Sequence, residues 1–447
     1  MTRFTDLPNE IFHEILGLVL PEDLENFAST CKQISLISGP FLREHRQLIR
    51  QYDTVSNRGP EEEMRTVYRL RTIPTVLKNI LDNPRVGRYV KKLHVGALHD
   101  DWAYRAHHVE EDNSIEGQKD FSEKCTMFAR AACQSDYLYC PGHTERNWET
   151  LIQDGDEELL LALLLTVLPN LNTLSIKWYP ARGPWLGQTV RRVPTAAIPI
   201  LSNLRTVHVE PGSDVHVGFE LLSLFSALPS LKSLSARKVR YGDRHWMHNP
   251  SSISRSNVTH LIMSYCSIDS KPMHEYLLSF PLLHAFEFEH AVPNVGEEYN
   301  SFDPFLLRSV LLSQAKNTLQ KLCITGPVTK KPFMGSLLGF EILREIHTDW
   351  AFLSPIEIFS QVPWLSRILP ASLRVLKLCD KLGRGPKEYA QLVKGLTYAK
   401  RTTCPLLEVL EIAALGAPMV QAQDLQRACE DVGIKFVYRS DQSLEGV

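Results

Sequence analysis

Missing from this 447-residue sequence is any apolar run long enough to cross a bilayer. The greasiest stretch, 159–168, is about half of the ~20 residues that a spanning helix requires. The opening residues, Met1-Thr2-Arg3-Phe4-Thr5-Asp6, lack the apolar core of a secretory signal. Neither sign of charge is in excess. With 49 Lys and Arg against 51 Asp and Glu, the formal net charge of −2 argues against nucleic acid or an acidic membrane surface as the main partner. The nine cysteines are odd in number and scattered, which disfavours a disulfide framework. A reducing compartment, cytoplasmic and/or nuclear, is therefore expected.

Catalytic signatures are lacking as well. The sequence has no glycine loop to cradle phosphate, no zinc-protease helix and no Gly-x-Ser-x-Gly elbow. The nearest metal candidate is Cys125, Cys133, Cys140 and His143, where only the last pair has the tight gap of a zinc site. Buried structural cysteines are the commoner outcome of such loose spacing, so no metal and no cofactor is expected. His13-Glu14 reads as an exposed helical pair. An enzyme is not expected.

What is present begins at the front. Residues 7–20 read LPNEIFHEILGLVL. Asp6 can accept from free N–H groups at a helix start, and Pro8 suits the first turn. Ile11, Phe12, Ile15, Leu16 and Val19 follow at helical spacing and cover more than one face. Pro21-Glu22-Asp23 restarts a helix with Leu24, Phe27, Ala28 and Cys31 as its apolar stripe, and Gly39-Pro40 is expected to stop the segment. A module near ~40 residues rarely stands on its own core. This one has no metal spacing or cysteine pair, and more apolar surface than three short helices can cover. That surplus predicts docking onto another protein.

The segment LPNEIFHEILGLVLPEDLENFASTCKQISLIS resembles an F-box, the motif that binds the Skp adaptor of SCF-type cullin–RING ubiquitin ligases. The likeness covers about residues 4–48 and rests on Leu7-Pro8, Glu10-Ile11, Ile15-Leu16, Pro21 with Asp23-Leu24, and Cys31-Lys32. It implies Skp, and through it a cullin, as partners. It also implies that Leu7, Pro8, Ile11, Ile15, Leu16, Leu24 and Ile34 sit at or beside the adaptor-binding surface. Ile34 stands where the family usually has an aromatic.

A second pattern organises the rest. An apolar-x-x-apolar-x-apolar unit recurs as YVKKLHV, NLNTLSI, NLRTVHV, SLKSLSA, NVTHLIM, LLHAFEF, TLQKLCI, ILREIHT, SLRVLKL and LLEVLEI. Amphipathic stretches at 157–168, 219–228, 305–315 and 389–396 lie between copies. Val207, Leu234 and Leu261 are each 27 residues apart, and most other gaps run from 24 to 36. A strand–helix unit repeated at this spacing is the mark of leucine-rich repeats. Each unit has an apolar face too small to close alone, so neighbours stack. The expected fold is α/β: a three-helix F-box followed by an irregular leucine-rich repeat solenoid, an α/β horseshoe. Its parts are the module at 1–50, a helical linker at 51–85, the solenoid at 86–440 and a tail at 441–447. A polar insertion at 96–155 carries one helix, 121–133.

Alternation along each strand sends Leu174 and Ile176 inward and Thr173, Ser175 and Lys177 outward. By the same rule His208, Glu210, Arg237, His260, Glu287, Glu289, Lys321 and His347 line the concave face as candidate substrate-binding residues. Glu345, His347 and Asp349 are expected to make its later part acidic. The three strand histidines lie on different repeats, and no local constellation is expected from them. The function these features imply is a substrate-recognition adaptor of an SCF-type ligase, with an unknown protein substrate. The alternative is a scaffold that binds Skp without a ligase role; an enzyme with its site hidden in the insertion ranks third.

Overall fold

The computed structural model describes residues 7–56, 72–97, 115–138, 143–154, 156–178, 185–195, 199–212, 216–241, 255–291, 302–327, 332–354, 364–381, 386–414 and 419–440. The chain forms two compact units, Met1–Asp214 and Val215–Val447. The N-terminal helices thus share a unit with the first strands, and the division does not fall at residue 50.

The first unit opens with α1 (Asn9–Leu18), α2 (Leu24–Ala28), α3 (Lys32–Ile37) and α4 (Gly39–Tyr52). Pro8 precedes α1, and its carbonyl accepts the N–H groups of Ile11 and Phe12 at 3.1 and 3.3 Å. Asp6 lies outside the described residues. Phe12, Leu16, Leu24 and Ile34 form the fully buried centre of the helices, with Val19, Phe27, Ile37, Phe41 and Leu42 packed around it. Gly39-Pro40 does not end the segment. It opens α4, because proline in a first turn forfeits no helical hydrogen bond.

Helix α4 runs into a strand, β1 (Thr54–Ser56), parallel to β2 (Lys92–Ala97). The region 51–85 is therefore not a purely helical linker. It holds a strand as well as the helix Thr72–Asp82, and three residues around one buried Val55 are too few to show a period. Two more parallel strands follow in this unit, β3 (Thr173–Trp178) and β4 (Thr206–Pro211); β3 pairs with β4 in direct register and with β2 through a shift between Val95 and Ala97. Between β2 and β3 the insertion carries two helices rather than one, Ile115–Gln134 and Glu145–Gln153. The second is short and polar outside, with only Trp148 and Ile152 buried, which concealed it in the sequence. Thr126 donates to Glu149 at 2.9 Å between them.

In the second unit eight strands lie side by side, all parallel: β6 (Ser233–Arg237), β8 (His260–Cys266), β9 (Ala285–His290), β10 (Lys321–Thr325), β11 (Glu345–Asp349), β12 (Val375–Asp380), β13 (Val409–Ala414) and β14 (Lys435–Ser440). A side ladder joins β5 (Val217–Gly218) to β7 (Val239–Arg240). Seven of the eight place two side chains each in the core, from Leu234 and Ala236 to Leu410 and Ile412. The helices Phe219–Ser226, Pro304–Ala315 and Pro386–Thr402 lie where periodicity expects them. Strand β14 is an additional rung. Lys435-Phe436-Val437-Tyr438-Arg439-Ser440 has no leucine to announce it, and as the last strand it leaves Phe436 and Tyr438 half-exposed.

Backbone geometry explains how repeats of uneven length keep one register. In each coil the carbonyl two residues before the first inward side chain accepts two N–H groups from the next coil. Lys232 accepts from Thr259 and His260 at 2.8 and 3.0 Å, Gln320 from Arg344 and Glu345 at 2.8 and 3.0 Å, and Arg374 from Glu408 and Val409 at 2.8 and 3.0 Å. Extra residues loop out elsewhere, so the strand corner stays constant. Asparagines brace the same corner. Asn203 donates to the Pro169 carbonyl at 3.0 Å and Asn257 to that of Pro229 at 2.8 Å, each reaching back one coil. The bracing residue thus stands before the strand, not after it.

Candidate functional site

Two kinds of surface are candidates for contact with other molecules, each described within its own unit. In the first unit the helical cluster leaves apolar side chains in solvent. Leu18 is 82% exposed and Leu36 83%, and Ile11 and Leu20 are about two-fifths exposed. Ile11, Ile15 and Leu18 recur at four and three residues, the spacing of one helical face. Pro8 is exposed beside them, while Leu7 and Ile15 are half-buried. Leu16, Leu24 and Ile34 are corrections to the sequence-based site. All three are fully enclosed, so they hold the helices together and do not present themselves to a partner. Leu18, Leu20 and Leu36 are the leucines that the cluster leaves exposed. They sit at the ends of helical stripes, where a periodic pattern reads equally well as core.

The cluster is tied by polar contacts to the 3-10 helix Pro84–Tyr89, which precedes β2 in its own unit. Arg85 donates to the Gly17 carbonyl at 3.0 Å, Arg88 pairs with Glu22 at 2.9 Å, and His45 Nδ1 lies 3.0 Å from the Tyr89 hydroxyl. Its exposed face is thereby presented on a fixed base.

Each unit also has a strand face opposite its buried rows. In the first unit His208 and Glu210 stand half-exposed on β4. In the second unit Arg237 is exposed, its guanidinium 5.0 Å from the ring centre of Tyr265. His260 is exposed, with Nδ1 2.9 Å from the Thr259 hydroxyl. Glu287 and Lys321 pair across β9 and β10 at 2.8 Å, Glu345 and Lys377 across β11 and β12 at 2.8 Å, and Glu411 and Arg439 across β13 and β14 at 3.0 Å. Glu289 is half-buried. Burial pushes its carboxyl up, opposed by Lys381, the Tyr265 N–H and Arg237.

Three expectations change here. Asp349 does not project into solvent: it is buried, accepts the Gly326 N–H at 2.6 Å and lies 3.4 Å from Lys381 Nζ. Nor is the later part of the face acidic, because Glu345 and Asp349 each have a lysine beside them. Such pairs add only ~0–1 kcal/mol of stability where exposed, but they cancel the local field. Opposite charges sit on neighbouring strands, a pattern that suits a mixed-charge polypeptide rather than a strongly charged one. His347 is not isolated either. It lies between Cys323 and Cys379, which reach it from the adjacent strands.

Three of the four residues of the insertion's metal candidate are described. Cys125 is buried, Cys133 is exposed, Cys140 lies outside the described residues, and His143 packs against Trp148 with ring centres 5.1 Å apart. Among the described residues no three of His, Cys, Asp and Glu come together to hold a metal ion. No helix among them is long and apolar enough to cross a membrane.

No curated protein matches the chain. A family match covers residues 187–384, and leucine-rich repeats of this kind generally bind proteins. Residues 187–384 are a leucine-rich repeat domain.

Proposed function

We propose that this chain is the substrate-recognition adaptor of an SCF-type cullin–RING ubiquitin ligase, acting in the cytosol and/or nucleus. Its N-terminal helices dock on Skp, and the open strand face holds a protein substrate. The chain itself is non-catalytic. It accelerates ubiquitin transfer by holding the substrate close to the transferring machinery, which turns an encounter between two molecules into a positional event.

The observation that carries this reading is the pair of leucines left four-fifths exposed, Leu18 and Leu36, on a helical cluster whose core is already closed by Phe12, Leu16, Leu24 and Ile34. Contiguous exposed apolar surface marks interaction sites. Ile34 fits the same view. It departs from the usual F-box aromatic, but it is enclosed, so the smaller side chain alters packing within the module rather than the docking surface.

Co-expression of the full chain with Skp and cullin tests the proposal. Recovery of all three in one complex is the expected result. Skp without cullin would leave a scaffold with no ligase role, and recovery of neither with a folded chain would end the adaptor reading.

A further inference from the structure

The open face of the second unit also brings one imidazole and two thiols together. Cys323 on β10 and His347 on β11 are directly opposite in the register, while Cys379 on β12 stands opposite Asp349, two residues beyond Lys377, the partner of His347. Cys323 Sγ is 3.3 Å from His347 Nδ1, and Cys379 Sγ is 3.2 Å from Nε2. Both ring nitrogens therefore face sulfur, and all three side chains are half-buried. A neutral imidazole has one N–H and one lone pair, so it donates to one sulfur and faces the S–H of the other. The flanking cations, Lys321 and Lys377, are each held by a glutamate at 2.8 Å, which offsets their charge.

Several chemistries fall away on geometry and charge. Strands lie ~4.8 Å apart, so the two cysteines, two strands apart and offset along them, have backbones at least about 9.6 Å apart, beyond the ~7 Å reach of a disulfide. A thiolate–imidazolium nucleophile is disfavoured: burial pushes the Cys323 thiol up to about 12 and holds His347 below its usual value. Structural zinc takes four donors, and no cluster of even three surrounds one point among the described residues. What remains is an ion satisfied by two donors.

We propose that Cys323, His347 and Cys379 form a site for one soft monovalent cation of the Cu+ class, held between the imidazole lone pair and one thiolate. Thiolate sulfur selects such ions. Binding replaces the S–H bond by a metal–sulfur bond, the proton leaves to solvent, and no electron is transferred. Because a coordinated thiol is deprotonated outright, uptake releases one proton per ion and strengthens as pH rises. The second ring nitrogen keeps its proton and donates to the other sulfur, fixing the ring as outer partners of metal ligands do. Metal–sulfur and metal–nitrogen bonds of about 2.3 and 2.0 Å sum to ~4.3 Å, so straight coordination parts the donors by about 1 Å. Half-exposed side chains on an open face have room for that movement.

The site stands apart from the docking of the N-terminal helices. The test is anaerobic titration of the full-length chain with Cu+ against a chromophoric Cu+ chelator, with X-ray absorption of the loaded protein. One ion per chain, bound at least tenfold more tightly than by His347→Ala or His347→Asn and with both sulfur and nitrogen in its shell, is the expected result. One of Cys323→Ser and Cys379→Ser loses the ion and identifies the sulfur. Thermal unfolding matching the parent shows that the variants fold. Equal uptake by parent and both His347 variants, an all-sulfur shell, or full binding by both serine variants would overturn the proposal.

Discussion

Removing Leu18 and Leu36 separates docking surface from core. Full burial of a leucine side chain is worth ~1.5–3 kcal/mol, and each of these two has about four-fifths of its surface still in water. A partner that covers both therefore gains most of that twice over. Truncation to alanine, which keeps one methyl, is expected to weaken the complex by about 2–4 kcal/mol, roughly thirty- to several-hundred-fold in Kd at ~1.4 kcal/mol per tenfold. The free protein is expected to unfold as before, because surface substitutions away from packing contacts change stability by only about 0.5 kcal/mol either way. Leu16→Ala provides the opposite case. It leaves the docking face in place but opens a cavity among Phe12, Leu24 and Ile34, costing ~2–5 kcal/mol of stability. Calorimetric titration with Skp, beside urea unfolding of each variant, gives both quantities. Were the Leu18→Ala/Leu36→Ala chain to bind Skp with unchanged affinity, the exposed face would not be the docking surface.

Acid should weaken the second unit through His290. Burial against Phe288 and Phe302 holds its pKa down at about 4 against the ordinary 6.5. A depressed histidine contributes stability that is fully present above pH 6.5 and is lost as pH falls toward 4, on the order of 2 kcal/mol at pH 5. The carboxyls of Glu289 and Asp349 are pushed up and act in the opposite direction. The informative quantity is therefore the pH 7 to pH 5 change in urea stability of the parent minus that of His290→Phe, and a difference near zero would contradict the assignment. Gly326→Ala is expected to cost about 1–3 kcal/mol by overpacking. Its new Cβ would lie 2.7 Å from that of His290, and relief of the clash pulls the Gly326 N–H off Asp349. Thermal unfolding checks this, and an unchanged midpoint would mean that the neighbouring strands yield freely.

Much of the repeat architecture was legible because its cause is local. Leu234, Leu261, Leu322, Leu376 and Leu410 announce rungs through alternation with polar neighbours, and the bounding helices carry their own apolar stripes. Where a rung lacks leucine, as in β14, or is three residues long, as in β1, the pattern thins below recognition although the backbone pairing persists. Gly39-Pro40 misled for a related reason: the same dipeptide ends one helix or begins the next, and only the packing of α4 beside α3 chooses.

The candidate surfaces divide in the same way. Periodicity determined by itself that 7–37 forms apolar helices and that the residues between inward leucines face outward, because side-chain direction follows from backbone period. Which apolar residues of α1–α3 close the core and which remain in solvent was decided by how the helices meet: Leu16 and Leu18 look alike in the sequence and end on opposite sides of that boundary. Tertiary structure alone brought Cys323, His347 and Cys379 together, from positions 24 and 32 residues apart in the sequence. It also matched Glu287, Glu345 and Glu411 with a cation from the next strand. Strand neighbours are set by coil stacking, and loops of uneven length leave no trace of that alignment in the linear order of residues.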